Sequence, residues 1–238
     1  MKTLLLFVFF NACLLQLNAG KTDVSKNEMP GITETNNPID NFWAWFIANQ
    51  DYLKNFERNP DQYLSEVLAE ARKIKQGLAI ELDPPVNGII CMTISANGNT
   101  ELFSIVEQII AKAPKVAGWK FTAFRQRLGS EQLKSMKLKA NGFELDPGDM
   151  KFYPVIKGDE LDIIIYVNGV TDKNYNQVAY GGLLILDNIL GEYDCVTKVN
   201  SYDFHPMPES KAEQDSLMPL LEIAGFVDNF HSSRAKNQ

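Results

Sequence analysis

Histidine and cysteine are scarce in this sequence, which has two histidines and three cysteines among 238 residues. The patterns H-E-x-x-H, C-x-x-C and G-x-S-x-G do not occur, and neither does a glycine-rich phosphate-binding loop. A histidine-dependent general base would have to be His205 or His231. A metal site built on these two histidines would need both of them close to carboxylates. We therefore predict no metal site and no cofactor.

Positive charge is also limited, because 23 lysines and arginines stand against 30 aspartates and glutamates, which gives a net charge of −7. A protein that binds nucleic acid needs a basic surface to neutralise phosphates. The nearest approach to one, Lys134 with Lys137 and Lys139, is more typical of a solvated face. We expect no nucleic acid as a partner, and the acidic balance also disfavours an anionic membrane surface.

Long apolar runs are missing except at the start of the chain. Lys2 precedes an unbroken apolar run from Leu4 to Phe10, and small residues follow at positions 18–20. This pattern predicts a secretory signal peptide over residues 1–19, because the run is too short and interrupted to span a bilayer. Cys13 leaves a lipid anchor as a less favoured alternative. We expect an exported chain, periplasmic or extracellular.

The rest of the chain divides by composition. Residues 20–37 are polar and contain Pro30 and Gly31, and Pro38 follows them, which predicts a flexible leader. We expect a soluble globular domain over residues 38–232, with possible sub-units at 38–128 and 136–232. Residues 233–238 are predicted to form a disordered tail.

The hydrophobic patterns predict a mixed α+β fold. Asn37-Pro38 and Asn59-Pro60 each indicate the start of an amphipathic helix. A strand–strand–helix–strand order follows at residues 78–124 and again at 151–204. A hairpin pairs its strands antiparallel, whereas a helical crossover pairs them parallel, so each unit predicts a mixed sheet. We expect the two N-terminal helices to pack on this sheet, while one wide sheet and two small lobes both remain open.

Cys91 and Cys195 lie more than a hundred residues apart. In an oxidising compartment they could form a disulfide. The interpretation that we favour is two small buried residues inside strands, since a disulfide needs a close approach that the sequence does not indicate.

Two arginines are candidates for ligand binding. Arg125 and Arg127 would point to the same side if the strand that begins at Trp119 continued. Paired guanidinium groups can hold a carboxylate or a phosphate. The alternative is that both are exposed at a strand end and pair with local acids.

Three acidic residues form a second candidate group. Asp187 is predicted to lie in the last turn of a helix, where the helix dipole disfavours an anion. Glu192 and Asp194 would alternate on the next strand and could share one face. A long strand is predicted from Cys195 to Phe204. Carboxylate pairs act as acid and base in glycoside hydrolysis. The alternative is a structural cap and turn with solvated acids.

Trp45 is a third candidate. It lies off the apolar stripe formed by Phe42, Trp43 and Phe46, so it could be exposed for contact with a partner. The alternative is a helix that is buried on more than one side.

Four segments carry a resemblance to other proteins: Phe42–Phe46, Ala113–Lys115, Gly118–Arg125 and Leu186–Asp194. Together they resemble a group of uncharacterised bacterial proteins without an assigned activity, over residues 39–205. The resemblance implies a bacterial origin, and with the signal peptide it implies the periplasm or the cell exterior. It implies no catalytic residues.

We therefore predict a non-catalytic binding or accessory module of the bacterial envelope. Its partner would be an unknown protein or small ligand, held on the sheet face or near Trp45 and Arg125. The alternative is a hydrolase that uses the acidic residues of 187–194 with His205. A third possibility is a purely structural accessory domain.

Overall fold

The computed structural model describes residues 36–140 and 143–235. The predicted signal peptide, residues 1–19, lies outside the described residues. So do residues 20–35 of the predicted leader and residues 236–238 of the predicted tail.

The first lobe is formed by residues 36–124 and combines three α-helices with three strands. Short 3₁₀ turns at Phe56–Arg58 and Thr100–Leu102 precede its second and third helices. The elements in chain order are α1 (Pro38–Leu53), α2 (Pro60–Ile74), β1 (Ala79–Leu82), β2 (Ile90–Ser95), α3 (Phe103–Ala111) and β3 (Trp119–Ala123).

Asparagine–proline pairs begin both N-terminal helices, as the sequence predicts. Asn37 Oδ1 accepts a hydrogen bond from Ile39 N at 3.0 Å, and Pro38 occupies the first turn of α1. Pro60 has the same position in α2. Proline is suited to this position because its fixed φ is helical and its missing N–H would have no partner there.

The N-terminal helices pack on the first sheet, and this prediction is confirmed. The rings of Trp43 and Phe46 from α1 meet those of Trp119 and Phe121 from β3 edge to face. The centroid distances are 4.7 Å for Trp43–Phe121 and 4.9 Å for Phe46–Trp119. Such aromatic pairs add to the stabilisation that comes from burial.

The first sheet has the order β1-β2-β3. β1 and β2 form an antiparallel hairpin, in which Ile80 lies opposite Ile94. β2 and β3 are parallel, with Met92 opposite Phe121, because α3 forms the crossover between them.

The second lobe is formed by the described residues of 125–235. Two 3₁₀ turns, Pro147–Asp149 and Leu220–Glu222, belong to it. Its elements are α4 (Ser130–Ser135), β4 (Leu138–Ala140), β5 (Phe143–Leu145), β6 (Lys151–Lys157), β7 (Glu160–Val167), α5 (Tyr175–Leu190), α6 (Glu192–Thr197), β8 (Ser201–Pro206), α7 (Lys211–Asp215), β9 (Met218–Pro219) and α8 (Ile223–Ala235).

The second sheet repeats the topology of the first and extends it by one strand. Its order is β8-β7-β6-β9, with β6 and β7 antiparallel and β7 and β8 parallel. The helix α5 lies against one face so closely that a Cβ at Gly182 would overlap the ring of Phe204. The predicted α+β fold with two strand–strand–helix–strand units is therefore confirmed, and each unit forms its own sheet.

Each lobe has a hydrophobic cluster of its own. Phe46, Leu53 and Met92 are fully buried in the first lobe. Phe152 and Ile165 are fully buried in the second. The two clusters are made from consecutive stretches of the chain, but Val196 of the second lobe packs against the first cluster. The Tyr193 ring also lies 5.3 Å from the Phe103 ring of the first lobe.

The predicted strand from Cys195 to Phe204 is wrong in its first half. Gly191 has a φ of 80° and ends α5, and α6 then begins at Glu192. Cys195 N donates to Gly191 O at 2.9 Å, which is a helical hydrogen bond. Glu192 and Asp194 therefore do not alternate along a strand.

Several smaller differences concern short elements. The sequence predicts a single strand at residues 136–140, where the structure has β4. The helices α4 and α7 and the strands β5 and β9 were not predicted. The helix α8 continues to Ala235, three residues into the predicted tail. In the described ranges, no helix has the length and apolar character needed to cross a bilayer.

Both cysteines of the described chain are free thiols. Cys91 lies in β2, as predicted, whereas Cys195 lies in α6 and not in a strand. The Cys195 thiol donates to the Tyr202 hydroxyl oxygen at 3.3 Å, and burial raises the pKa of this thiol. Cys195 is therefore a buried packing residue.

Candidate functional site

Arg125 lies between the two lobes because the chain turns sharply just before it. β3 ends at Ala123, and Phe124 adopts a φ of 60°, a conformation that is unusual for a residue with a side chain. Phe124 N still donates to Ile94 O at 2.9 Å, so the turn is anchored to the first sheet. The next residue, Arg125, is directed into the interior and is only 4% exposed.

The Arg125 guanidinium group contacts side chains of both lobes. Its Nε donates to Glu81 Oε1 at 2.5 Å, and its Nη2 donates to Asn97 Oδ1 at 2.9 Å, both in the first lobe. Its Nη1 donates to Asp187 Oδ2 at 3.0 Å and lies 3.9 Å from Glu192 Oε2, both in the second lobe. We call these five side chains the buried cluster, after the three that are buried; Glu81 is half-buried and Asn97 lies exposed at the edge.

Glu192 joins the lobes through backbone groups. Its side chain is fully buried, and Oε1 accepts hydrogen bonds from Ala96 N at 2.9 Å and Gly98 N at 3.1 Å. Oε2 accepts from Arg125 N at 3.1 Å, while Glu192 N donates to Arg125 O at 2.9 Å. The carboxylate thus accepts hydrogen bonds from three backbone N–H groups, so its role is to maintain the structure.

One cation faces three carboxylates in the buried cluster. Burial raises the pKa of Asp187 to about 6, since Arg125 only partly offsets the cost of desolvation and Glu192 adds repulsion. Burial lowers the pKa of Arg125, but Glu81, Asp187 and Glu192 together raise it further, so the guanidinium group stays charged. Asp187 is therefore the member of the cluster that changes its charge near neutral pH.

Arg127 does not share a ligand with Arg125. Its Nη1 donates to Asp228 at 2.7 Å, its Nη2 to Asp194 at 2.7 Å, and its Nε to Leu190 O at 2.6 Å. Lys198 adds a contact to Asp194 at 2.9 Å. The prediction that Arg125 and Arg127 together hold one ligand is wrong. The strand ends at Ala123, before either arginine, so the two side chains do not lie side by side on a strand.

Trp45 is half-buried and packs against the hydrophobic cluster of the first lobe. It lies apart from the buried cluster of Arg125. Its placement matches the alternative of a helix buried on more than one side.

His205 lies on the opposite side of the second sheet from the acidic residues of 187–194. Its neighbour Phe204 faces α5, so His205 points to the other face. There, His205 Nε2 lies 2.8 Å from Asp203 Oδ2, and the Tyr175 hydroxyl group donates to Asp203 Oδ1 at 3.0 Å. The structure does not bring His205 and Asp187 together.

The face that carries His205 is partly open to solvent. Tyr153 from β6 is 49% exposed, and Ile164 and Tyr166 from β7 are half-buried on the same side. Tyr166 lies opposite His205, with a ring distance of 5.9 Å. We call Tyr153, Ile164, Tyr166, Asp203 and His205 the open face.

No family model, curated protein or solved structure matches this chain. The resemblance to uncharacterised bacterial proteins therefore stays a prediction. In the described ranges, no group of three or more histidine, cysteine, aspartate or glutamate side chains could hold a metal ion.

Sequence reasoning missed Glu81 and Asn97 in the buried cluster. A single acid inside the apolar strand from Leu78 to Leu82 is a signal that could have identified Glu81. Asn97 has a φ of 50° before Gly98, which marks a turn and gives no sign of a contact with Arg125. The tyrosines of the open face were missed because half-buried aromatic residues are common in strands.

Proposed function

We propose that the chain is a non-catalytic binding module of the bacterial envelope and that it binds a saccharide on the open face of the second sheet. The observation that carries this proposal is the row of rings formed by Tyr153, Tyr166 and His205 across three neighbouring strands. The signal-peptide pattern of residues 1–19 and the resemblance to bacterial proteins support the location.

The chemistry of the open face suits a sugar ring. Tyr166 and His205 are a direct cross-strand pair, and Tyr153 is the diagonal neighbour of Tyr166, at ~7–8 Å between backbone positions. Flat aromatic side chains offer apolar area to the C–H face of a pyranose at a low entropic cost. The Asp203 carboxylate is exposed, and beside its contacts with the Tyr175 hydroxyl, Phe204 N and His205 it retains about one acceptor site, on Oδ2, for a hydroxyl group.

The buried cluster supports a non-catalytic role. The carboxylate of Glu192 is engaged by three backbone N–H groups, and the Arg125 guanidinium group is 4% exposed. A general acid or base must reach its substrate within hydrogen-bond distance. Glu192 and Arg125 are thus committed to joining the lobes, while Asp194 pairs with Arg127 and Lys198 within the second lobe.

The test is binding of neutral oligosaccharides, measured by calorimetric titration and by chemical-shift changes. We expect Tyr166→Ala to weaken binding at least about tenfold, because the central ring of the row is lost. Tyr52→Ala is the matched control, since Tyr52 is an exposed tyrosine of the first lobe. Binding that is equal in wild type and Tyr166→Ala would contradict the proposed site.

A hydrolase is the second candidate, and one observation favours it. His205 Nε2 lies 2.8 Å from Asp203 Oδ2, and the imidazole is 44% exposed, as a surface general base would need. Such a site would not use the residues of 187–194. Mass spectrometry of an oligosaccharide incubated with the chain separates the two functions: cleavage that disappears in His205→Ala would indicate the hydrolase, and binding without cleavage the module.

A further inference from the structure

Asparagine is followed by glycine four times in the sequence, at Asn87, Asn97, Asn141 and Asn168. The pair at 141–142 lies outside the described residues. In such a pair the glycine nitrogen can attack the asparagine side-chain carbonyl carbon, because glycine has no side chain to hinder the approach. The other three pairs have the same chemistry, so their surroundings decide which of them reacts.

The reaction is a deamidation, and its only co-reactant is water. The glycine nitrogen loses its proton to solvent base and forms a bond to Cγ of the asparagine. The bond from Cγ to the side-chain nitrogen breaks, and that nitrogen takes up a proton and leaves as ammonia. Water then opens the succinimide ring to aspartate or isoaspartate, either of which carries a negative charge that asparagine lacks. Ring closure needs a free side chain and a rotating Asn–Gly peptide unit.

Asn97 is exposed, but both of its reacting groups are held. Its Oδ1 accepts a hydrogen bond from Arg125 Nη2 at 2.9 Å, and Gly98 N donates to Glu192 Oε1 at 3.1 Å. Loss of the Gly98 proton is disfavoured there, because the nitrogen anion would face the Glu192 carboxylate. Contacts of the lobe junction therefore block both halves of the reaction at this pair.

Asn87 is also exposed, but its turn is fixed. Val86 N donates to Ile89 O and Ile89 N donates to Val86 O, both at 3.0 Å. Asn87 and Gly88, with φ values of 52° and 77°, form the two-residue turn between these bonds. Rotation of the peptide unit between Asn87 and Gly88 would strain both hydrogen bonds, so the turn slows ring closure.

Asn168 follows the end of β7, and both Asn168 and Gly169 are exposed. Among the described residues, neither the Asn168 side chain nor Gly169 N has a hydrogen-bond partner. The nearest hydrogen bonds, from Met207 N to Val167 O and from Asn174 Nδ2 to Gly169 O, lie on either side of the peptide unit that must rotate. No atom lies within 4 Å of a Cβ position at Gly169, so there is room for this rotation.

We propose that Asn168 is a site of spontaneous deamidation and that the lobe junction protects Asn97 from the same reaction. Both asparagines are exposed, so the hydrogen bonds of the reacting groups make the difference. The product at Asn168 adds a negative charge to the connection between β7 and α5. At Asn97 it would add a fourth carboxylate to the buried cluster, beside a single cation. The inference does not depend on the proposed saccharide.

Peptide mapping by mass spectrometry measures the three rates in one sample. The purified chain is incubated in mildly alkaline buffer, and the asparagine, aspartate and isoaspartate forms of each peptide are separated. The same chain unfolded in guanidinium chloride gives the reference rate of each pair. We expect native Asn168 to react at least about tenfold faster than native Asn97, and the reference rates to agree within about threefold.

Arg125→Met tests the protection of Asn97 directly. The change frees Asn97 Oδ1 and weakens the lobe junction, so we expect the rate at Asn97 to rise at least about fivefold while the rate at Asn168 stays the same. Arg127→Met is the matched control, because Arg127 makes its contacts within the second lobe. Circular dichroism checks that each variant is folded, and the wild-type comparison decides the proposal even if Arg125→Met does not fold.

Three outcomes would overturn the proposal. The first is a native chain in which Asn168 reacts no faster than Asn97. The second is an Asn97 rate that is the same in the native and the unfolded chain, since the junction would then give no protection. The third is a folded Arg125→Met variant in which Asn97 reacts as slowly as in the wild type.

Discussion

Glu192 shows how one side chain can hold two lobes together. Its carboxylate accepts N–H groups from Ala96, Gly98 and Arg125, and it is completely buried. A buried N–H group without an acceptor destabilises the fold. The main contribution of the Glu192 carboxylate is therefore to provide acceptors for these N–H groups, and its charge matters less.

Replacing Glu192 by glutamine keeps the shape but changes the hydrogen bonding. The amide NH₂ group would face a backbone donor, either Arg125 N or the pair from Ala96 and Gly98. We expect the free energy of unfolding to fall by about 2–4 kcal/mol, measured by chemical denaturation. Glu131→Gln, at an exposed pair with Lys134, should change it by less than about 0.5 kcal/mol. Equal effects of the two changes would contradict this account.

Asp187 gives the chain a specific dependence on pH. Its pKa is about 6 in the folded chain and ~3.9 in an unfolded one. The folded chain therefore holds a proton between these values that the unfolded chain has lost. The stabilisation from this proton is complete below pH ~4 and is lost as the pH rises through about 6.

Asp187→Asn should remove this dependence. The carboxyl groups of Asp162 and Asp228 have lowered pKa values and act in the opposite direction, so the comparison must be made with the wild type. We expect the stability of the variant, relative to that of the wild type, to rise by about 2 kcal/mol between pH ~4 and ~7. Denaturant titrations across this range measure it, with Asp159→Asn as an exposed control. Parallel curves would show that Asp187 does not titrate as described.

At the scale of the elements, the contact of α5 with β8 depends on the absence of a side chain. A Cβ at Gly182 would overlap the Phe204 ring, so Gly182→Ala forces the helix and the strand apart. We expect a loss of about 1–3 kcal/mol in thermal or chemical unfolding. Gly225→Ala in α8 is the control, since no atom lies within 4 Å of its Cβ position. That change should be neutral or stabilise by up to ~1 kcal/mol, and a stabilising Gly182→Ala would contradict the close approach.

The elements that could be predicted are those with local signals. Asn37-Pro38 marks a helix start, and the β-branched, apolar run of residues 161–167 after the turn at 157–160 marks a strand. The segment from Glu192 to Thr197 was predicted incorrectly, because its β-branched and aromatic residues favour a strand locally. The hydrogen bond from Glu192 N to Arg125 O accompanies the start of α6. Because its partners are 67 residues apart, the local sequence pattern does not indicate it.

The candidate residues could likewise be predicted only from local signals. Asp187 is an anion at the end of a helix, and Arg125 has a second arginine two residues away. Their meeting could not be predicted, since it depends on how the two lobes dock. His205 lies on the sheet face that points away from Asp187. This placement depends on the register of β8 with β7, which the sequence does not specify.

At the scale of the whole molecule, the lobes should unfold together. Arg125 contacts Glu81 in one lobe and Asp187 in the other, and removing it would leave buried carboxylates without a cation. We expect a single calorimetric transition for the wild type and two separated transitions for Arg125→Met. Arg127→Met is the matched control, because the partners of Arg127 all lie in the second lobe. A single transition in Arg125→Met would show that the remaining contacts, from Glu192 to Ala96 N and Gly98 N and from Val196 to the first core, are enough to couple the lobes.

Because the lobes follow one another in sequence, their contacts can form only in a fixed order during synthesis. The first lobe can bury its apolar side chains as soon as it emerges, but Arg125 must wait for Asp187 and Glu192, which are 62 and 67 residues further on. At ~5–20 residues per second, that delay lasts several seconds. During this interval the guanidinium group has only Glu81 and Asn97 as partners, so the junction reaches its final charge balance after the first lobe has formed.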